Sequence, residues 1–242
     1  MTADPFTLTI DGPVYVAVVG PPASGKSTLA TALAAAFAAP IIRPREAIRA
    51  LLEQEPRLHE LYAPINELGW SSDGALGVAI RAAVWRIPGD QQMVVLENLP
   101  GDGCQLADLH LWAQRVRGQV LMVHLDTADE LLLARGFARR VCQACGRDRS
   151  GEPHEPAVAS GTDPNRCSNC ATILTIRRDD ERAILRSRTQ RHRRYFRSIR
   201  ATAEALAIPF VSIDASLPAL DVRSRAIAAI AVLSSPVPRK GK

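Results

Sequence analysis

The feature that most constrains this chain is a glycine-rich segment, GPPASGKS at residues 20–27, which fits the pattern G-x-x-x-x-G-K-[ST] in full. It follows a short apolar run rich in β-branched residues, VYVAVV at 14–19, as is typical of a strand buried on both faces of a parallel sheet. An alanine-rich stretch with helical spacing, about 26–38, comes next. This order of strand, glycine turn and helix predicts a phosphate-binding loop rather than a chance turn.

Each part of the loop has a physical role in holding a nucleoside triphosphate. Gly20 and Gly25 let the backbone curl so that successive N–H groups face one anion, and the helix N-terminus adds partial positive charge. Lys26 is expected to reach the outer phosphates, and the Ser27 hydroxyl to ligate Mg²⁺. The residues expected to contact the nucleotide here are Gly20, Ala23, Ser24, Gly25, Lys26, Ser27 and Thr28.

Further apolar runs alternate with helical spacing along the rest of the chain. The runs lie at 93–96, 120–125 and 209–213, and the helical patterns at 104–117, 127–140, 180–206 and 218–234. Such alternation predicts an α/β fold with helices on both faces of a parallel sheet. Two segments interrupt it: 43–88 has helical patterns at 45–54 and 73–85 but no strand pattern, and 141–176 holds two cysteine pairs. They predict a helical insertion and a small separate lobe.

Acidic residues that end core strands are the candidates for the metal side of a triphosphate site. Glu97 and Asp126 each follow an apolar run. Glu97 is the better candidate for orienting Mg²⁺ or its waters, and the alternative is a solvent-exposed carboxylate at the end of a strand.

Arginines are concentrated on both sides of the cysteine-containing lobe, and their planar guanidinium groups suit paired contacts to phosphate. We expect five to converge at the mouth of the lobe: Arg135, Arg139, Arg140, Arg177 and Arg188. A solvated basic helix face is the alternative for any one of them. It is the preferred interpretation for Arg191, Arg193 and Arg194.

Two C-x-x-C pairs, separated by about twenty residues, predict a structural zinc site with four thiolate ligands. The ligands would be Cys142, Cys145, Cys167 and Cys170. Such a site has no open position for water, so its role would be to fold a lobe with little apolar content. A redox pair and a nucleic-acid-binding ribbon are the alternatives.

Composition narrows the class of protein. The 242 residues carry a formal net charge of +5 with a pI of about 9.2, which suits a phosphate site and also permits nucleic-acid binding. Because the basic residues lie beside individual motifs rather than in a tail, small-molecule nucleotides are the expected partners and nucleic acid is not. The chain has neither a signal-peptide pattern nor an apolar run long enough to span a bilayer, so we expect a cytoplasmic protein without a membrane partner.

With these motifs in this order, the chain resembles the adenylate kinase family of nucleoside monophosphate kinases in its zinc-lid form, from about Val14 to Ile230. The resemblance implies a P-loop core with a five-stranded parallel sheet, a helical insertion that closes over the monophosphate, and a Cys₄ zinc lid that closes over the triphosphate. The corresponding segments are 1–42, 89–140 and 177–242 for the core, 43–88 for the insertion, and 141–176 for the lid.

The resemblance also implies an activity: reversible phosphoryl transfer from Mg-ATP to AMP or a related monophosphate, by a monomer. By position, Arg49 matches the arginine that holds the acceptor phosphate and Gln105 the glutamine that reads the acceptor base. Arg135 resembles the residue that stacks on the donor adenine. The residues that resemble those at the reacting centre are Lys26, Arg139, Arg177 and Arg188, with Asp179 expected to pair with the arginines and help close the lid.

The acceptor side departs from the family pattern. The family segment Asp-Gly-Phe-Pro-Arg reads Glu-Asn-Leu-Pro-Gly at 97–101, so glycine replaces an arginine that contacts the acceptor phosphate. The usual Thr-Gly-Asp reads Pro-Arg-Glu at 44–46. Arg43 or Arg45 is the candidate to restore the lost charge, and the sequence does not choose between them. A kinase with a different acceptor and a catalytically weak nucleotide-binding regulator are the alternative functions.

Overall fold

The computed structural model describes residues 12–60, 62, 73–87, 89–145 and 156–233. It is an α/β fold around a five-stranded parallel sheet. The strands of this sheet are β1 (Val14–Val19), β2 (Ile41–Ile42), β3 (Met93–Glu97), β4 (Gln119–Asp126) and β7 (Phe210–Asp214). Their order across the sheet is β2-β3-β1-β4-β7. The four apolar runs in the sequence are β1, β3, β4 and β7, so the predicted fold class is confirmed.

Seven α-helices are present in the described residues, and they cover both faces of the sheet. They are α1 (Lys26–Phe37), α2 (Pro44–Gln54), α3 (Asp73–Trp85), α4 (Gly103–Arg115), α5 (Asp129–Ala138), α6 (Arg182–Ala205) and α7 (Ala219–Leu233). Two of them, α2 and α3, are the helices predicted within 43–88, and they pack against each other. Other parts of the predicted segments lie outside the described residues: 1–11, 61, 63–72, 88, 146–155 and 234–242.

Strand β1 is buried on both faces because its side chains alternate between two apolar cores. Tyr15, Ala17 and Val19 belong to the core under α2, α3, α4 and α6. Val14, Val16 and Val18 belong to the core under α1 and α7. A continuous apolar run is therefore what this central strand requires, which is why its bounds are readable from the sequence.

Between α5 and α6 the chain forms a small lobe with its own two-stranded sheet. Strand β5 (Val141–Cys142) pairs antiparallel with β6 (Leu174–Thr175). The lobe's buried apolar cluster, within the residues described, consists of Cys142, Cys167 and Leu174.

The carboxyl ends of the parallel strands lie at one edge of the sheet. Val18 pairs with Glu97 across β1 and β3, and Asp126 pairs with Asp214 across β4 and β7. The phosphate-binding loop follows β1 directly, so it faces the polar ends of its neighbours, as ligand sites in open α/β sheets do. Among the helices described, none combines the length and the apolar character needed to cross a bilayer.

Candidate active site

The backbone of the loop that follows β1 needs glycine at two positions. Gly25 has a φ of 94°, in the left-handed region that side chains disfavour. A Cβ on Gly20 would lie 2.8 Å from Ser24 Oγ and 2.9 Å from the Leu125 carbonyl oxygen, so the loop packs too closely against β4 for any other residue. Ala23 also has positive φ, at 62°. These turns produce the curled backbone that an anion-binding loop requires.

Among the residues described, two side chains of this loop, Ser24 and Lys26, lack an anionic or polar partner that matches them fully. The buried Ser24 hydroxyl has no hydrogen-bond partner within the described residues. Lys26 Nζ donates to the Pro21 carbonyl oxygen at 2.7 Å, so it folds back over the loop. Burial, together with the positive charge of Arg188, lowers the pKa of Lys26 to about 7. A phosphate group at this position would relieve both deficits.

Glu97 is buried and links the loop to the start of α2. Ser27 Oγ donates to Glu97 Oε1 at 2.5 Å, and Arg43 Nε donates to Glu97 Oε2 at 2.7 Å. Arg43 also pairs with Glu46 at 3.1 Å. A hydroxyl beside a carboxylate at the end of a strand is a donor set that suits Mg²⁺ and its waters. Asp126, in contrast, is half-exposed and pairs with Arg193, which favours Glu97 for the metal side.

Asp179 is the centre of an arginine cluster. Its Oδ2 atom accepts from Arg188 at 2.8 Å, from Arg177 at 3.0 Å and from Arg45 of α2 at 3.1 Å. Burial alone would raise the pKa of Asp179, but these three guanidinium groups hold it below its usual value. The prediction that Asp179 pairs with the arginines is therefore confirmed, with Arg45 as an unexpected member.

The neighbouring Asp180 holds Arg139. Arg139 donates to both carboxylate oxygens of Asp180, at 2.7 and 2.5 Å, and the Asp180 side chain is fully buried. Burial, together with the positive charges of Arg139 and Arg188, lowers the pKa of Arg177. Four arginines thus share two carboxylates, and this excess of positive charge suits a polyanionic ligand.

The five arginines expected at the mouth of the lobe do not all meet there. Arg139, Arg177 and Arg188 do, but Arg135 donates to the Ala215 carbonyl oxygen beyond β7 at 2.7 Å. Arg140 turns back to the carbonyl oxygens at the C-terminal end of α5. Helical spacing placed Arg135 and Arg139 on one face, but α5 ends at Ala138, and the backbone of Arg139, the next residue, is extended.

The interpretation of Arg193 as a solvated residue is wrong. It donates to Asp126 and Asp129 and to the Thr127 carbonyl oxygen, so it fastens α6 to the start of α5. Arg191 and Arg194, by comparison, both lie over the ring of Tyr195.

The residues expected on the acceptor side line two cavities. Arg49 pairs with Glu53 at 3.4 Å and, with Arg45, lines an open cavity of about 440 Å³ along α2. Gln105 accepts a hydrogen bond from the Gly101 N–H at 2.8 Å and lines a cavity of about 270 Å³ between α3 and α4. The structure therefore leaves room for an acceptor beside both residues.

The four paired cysteines meet in the lobe. Their sulfur atoms lie within 4.8 Å of one another, and two of the four residues are buried. Four thiols at this spacing fit a tetrahedral metal site, because sulfur–metal distances near 2.3 Å place the ligands slightly less than 4 Å apart.

Comparison with known proteins connects this geometry to a family. No family model matches the chain. An adenylate kinase of Symbiobacterium thermophilum is 28% identical over 170 residues, which cover 69% of this chain and 76% of that protein. Adenylate kinases of Treponema denticola and Kosmotoga olearia are 23% and 25% identical, each over 72% of this chain and 79% of the relative. The chain is a homologue of adenylate kinases. The homology indicates a phosphotransferase.

Some residues of this adenylate kinase homologue that contribute to the site did not stand out in the sequence. The roles of Arg43 at Glu97 and of Asp180 at Arg139 were not predicted, and Arg45 was only one of two candidates. The doubled Asp-Asp at 179–180 was a signal that more than one arginine needed a partner. For Arg43 no local signal exists, because its partner is 54 residues away.

Proposed function

We propose that the protein catalyses reversible transfer of the γ-phosphoryl group of Mg-ATP to AMP or a related nucleoside monophosphate. One observation carries the proposal: Arg177 and Arg188 converge on Asp179, the adjacent Asp180 holds Arg139, and all three place positive charge near Lys26 of the loop. A protein that only bound a triphosphate would need the loop alone. Positive charge on the far side of the loop stabilises the charge that spreads over a phosphoryl group during transfer.

In the reaction, an oxygen of the acceptor phosphate forms a bond to the γ-phosphorus while the bond to the β,γ-bridging oxygen breaks. The bonding electrons leave with ADP, and the reverse reaction retraces the step. A phosphomonoester already carries about 1.5 to 2 negative charges at pH 7, so no side chain has to act as a base. Lys26 holds the outer phosphates, and the three arginines neutralise the equatorial oxygens and keep the reactants in line.

The metal side of the site would be formed by Ser27 and Glu97. Mg²⁺ held there would supply positive charge against the charge that develops on the phosphates during transfer. Arg43 holds the Glu97 carboxylate in place from the side opposite Ser27, so the acid cannot turn away.

The parts of the chain divide the work. We assign acceptor binding to 43–88, which contains Arg49, together with Gln105 of the core. Closure over the triphosphate is assigned to 141–176, where Cys142, Cys145, Cys167 and Cys170 would hold Zn²⁺. The remaining segments are the core, with Arg135 beside the donor base. Closure excludes water, which would otherwise compete with the acceptor for the phosphoryl group.

A panel assay tests the function. Purified protein with Mg-ATP is given AMP, CMP, GMP, UMP or dTMP, and ADP formation is compared with a reaction that lacks acceptor. We expect acceptor-dependent ADP formation with AMP or with another member of the panel. Absence of acceptor-dependent turnover across the panel would contradict the proposal and favour a binding protein.

A further inference from the structure

Arg43 and Arg45 are two positions apart in the sequence, but they differ in burial and in the carboxylates that they contact. Arg43 contacts two carboxylates, Glu97 and Glu46, at 2.7 and 3.1 Å, and its side chain is largely buried. Its charge is already matched. The side chain of Arg45 is half-exposed and contacts Asp179 Oδ2, an oxygen that also accepts from Arg177 and Arg188. Of the two, Arg45 is therefore the one whose charge a further anion can use.

Arg45 also lies between two parts of the site. It is in the first turn of α2, one helical turn before Arg49, so both side chains lie on the same face. The two line the 440 Å³ cavity, whose other walls include Ile48, Leu52 and Tyr62. At the same time Arg45 reaches Asp179, in the cluster that contains Arg177 and Arg188. One guanidinium group thus connects the cavity on the insertion with the cationic centre of the core.

We propose that Arg45 binds the phosphate of the acceptor and draws it toward the γ-phosphate of the donor. The inference rests on the proposed function and deepens it. A guanidinium group offers five N–H donors in a planar fork, so Arg45 can keep its bond to Asp179 and still bind phosphate oxygens. The same bond links α2 to the core, because Asp179 and Arg45 lie 134 residues apart in the sequence.

The test compares Arg45→Ala with a matched control on the same insertion, Arg57→Ala. Arg57 is highly exposed and pairs only with nearby Glu55 among the contacts described. For the acceptor identified in the panel, we expect Arg45→Ala to lower kcat/KM about tenfold to a hundredfold, the range of one charge-assisted phosphate contact. The KM for Mg-ATP should change less than about twofold, and Arg57→Ala should match the unmodified protein. Arg45→Lys should restore part of the loss, because it returns the charge without the fork.

Two results would overturn the inference while the proposed function stands. One is unchanged acceptor kinetics in Arg45→Ala. The other is an equal loss for the acceptor and for Mg-ATP, which would mean that Arg45 only organises Asp179.

A binding measurement distinguishes these results from failure of the proposed function itself. Each monophosphate of the panel is titrated by calorimetry into the unmodified protein and Arg45→Ala, both saturated with a non-hydrolysable Mg-ATP analogue. Weaker binding by Arg45→Ala supports the anion site even if the panel shows no turnover. Equal binding, or no binding to either protein, rejects it.

Discussion

At the scale of single residues, the site is a set of charges that match each other incompletely. Glu97 has two firm partners, Ser27 and Arg43, and Asp180 has a bidentate one, Arg139. Lys26, in contrast, is buried near three arginines, and within the described residues its hydrogen-bond partner is the neutral Pro21 carbonyl oxygen. This imbalance is what a triphosphate would correct.

The pKa of Lys26 leads to a prediction about pH. With a pKa of about 7, Lys26 is mostly neutral at pH 8 in the free protein. Bound phosphate favours the charged form and raises that pKa, so binding Mg-ATP at pH 8 should take up close to one proton. Affinity should fall by about tenfold per pH unit above 7, because only the charged lysine binds well. Calorimetry in two buffers of different ionisation enthalpy measures the uptake.

The matched variant for this measurement is Lys26→Arg, whose side chain stays charged across the same range. Proton uptake should disappear in it. If the unmodified protein took up no proton at pH 8, the lysine would already be charged and the interpretation of its environment would be wrong.

At the scale of elements, a strand can be located from the sequence when it is long enough and buried enough to show a continuous apolar run. Strands β1, β3 and β4 are buried along their lengths, so a continuous apolar run identifies them. Strand β2 has two residues, Ile41 and Ile42, too few to show any period; the family resemblance implied a fifth strand without locating it. The strands β5 and β6 of the lobe are equally short, and in the sequence only the paired cysteines indicated that a lobe lies there.

The site follows the same logic. Residues within one motif, such as Lys26 and Ser27, are predictable because the loop alone determines their positions. Pairs such as Arg45 with Asp179 depend on how α2 packs against the core, and no local pattern contains that information. Arg193 was misinterpreted for the same reason, since its acidic partners lie on other elements.

The cysteine-containing lobe is the element whose stability we expect to depend on metal. Its described apolar cluster is three residues, too small to stabilise a lobe by burial alone. We predict about one zinc ion per chain by elemental analysis. Removal of the metal by a chelator, or Cys167→Ser, should expose 141–176 to limited proteolysis while the core stays resistant.

Cys104→Ser is the control, because Cys104 is an exposed free cysteine of α4 outside the cluster. It should keep the metal and the protease resistance. Metal-free protein whose lobe resists proteolysis as well as before would refute the structural role of the ion.

At the scale of the whole molecule, a buried histidine links the central sheet to α6. His124 of β4 stacks on Phe196 at 3.8 Å between ring centroids, and its Nδ1 lies 3.1 Å from Ser212 Oγ of β7. Burial, with help from the charges of Arg193 and Lys26 and against that of Asp126, lowers the pKa of His124 to about 4. Protonation of the His124 imidazole is therefore unfavourable in the folded protein.

This histidine should make the protein sensitive to mild acid. The pKa of His124 in the folded protein lies below the unfolded value of 6.5. The stability that His124 contributes is therefore fully present above pH 6.5 and is lost as the pH falls toward 4. His124 alone should lower the free energy of unfolding by about 1.4 kcal/mol per pH unit in that window, roughly 3 kcal/mol in all. Urea unfolding at pH 7, 6 and 5 measures it.

His124→Phe should make this pH dependence shallower, because phenylalanine keeps the ring stack without a titrating group. Some dependence should remain, because burial also lowers the pKa of the neighbouring His192 to about 3. His59→Phe, which replaces an exposed histidine, should leave the dependence as it is. Equal slopes for the His124→Phe variant and the unmodified protein would show that acid destabilises the fold elsewhere.

The central claim is that the cationic ring around the loop directs a phosphoryl group to a monophosphate rather than to water. The most direct measurement follows the label from [γ-³²P]ATP with Mg²⁺ and the acceptor from the panel, in the unmodified protein, in Lys26→Met and in the distant control Arg200→Met. We predict label in the β-phosphate of the new nucleoside diphosphate for the unmodified protein and the control, and almost none for Lys26→Met. Label found only in inorganic phosphate, or equal transfer by Lys26→Met, would contradict the account.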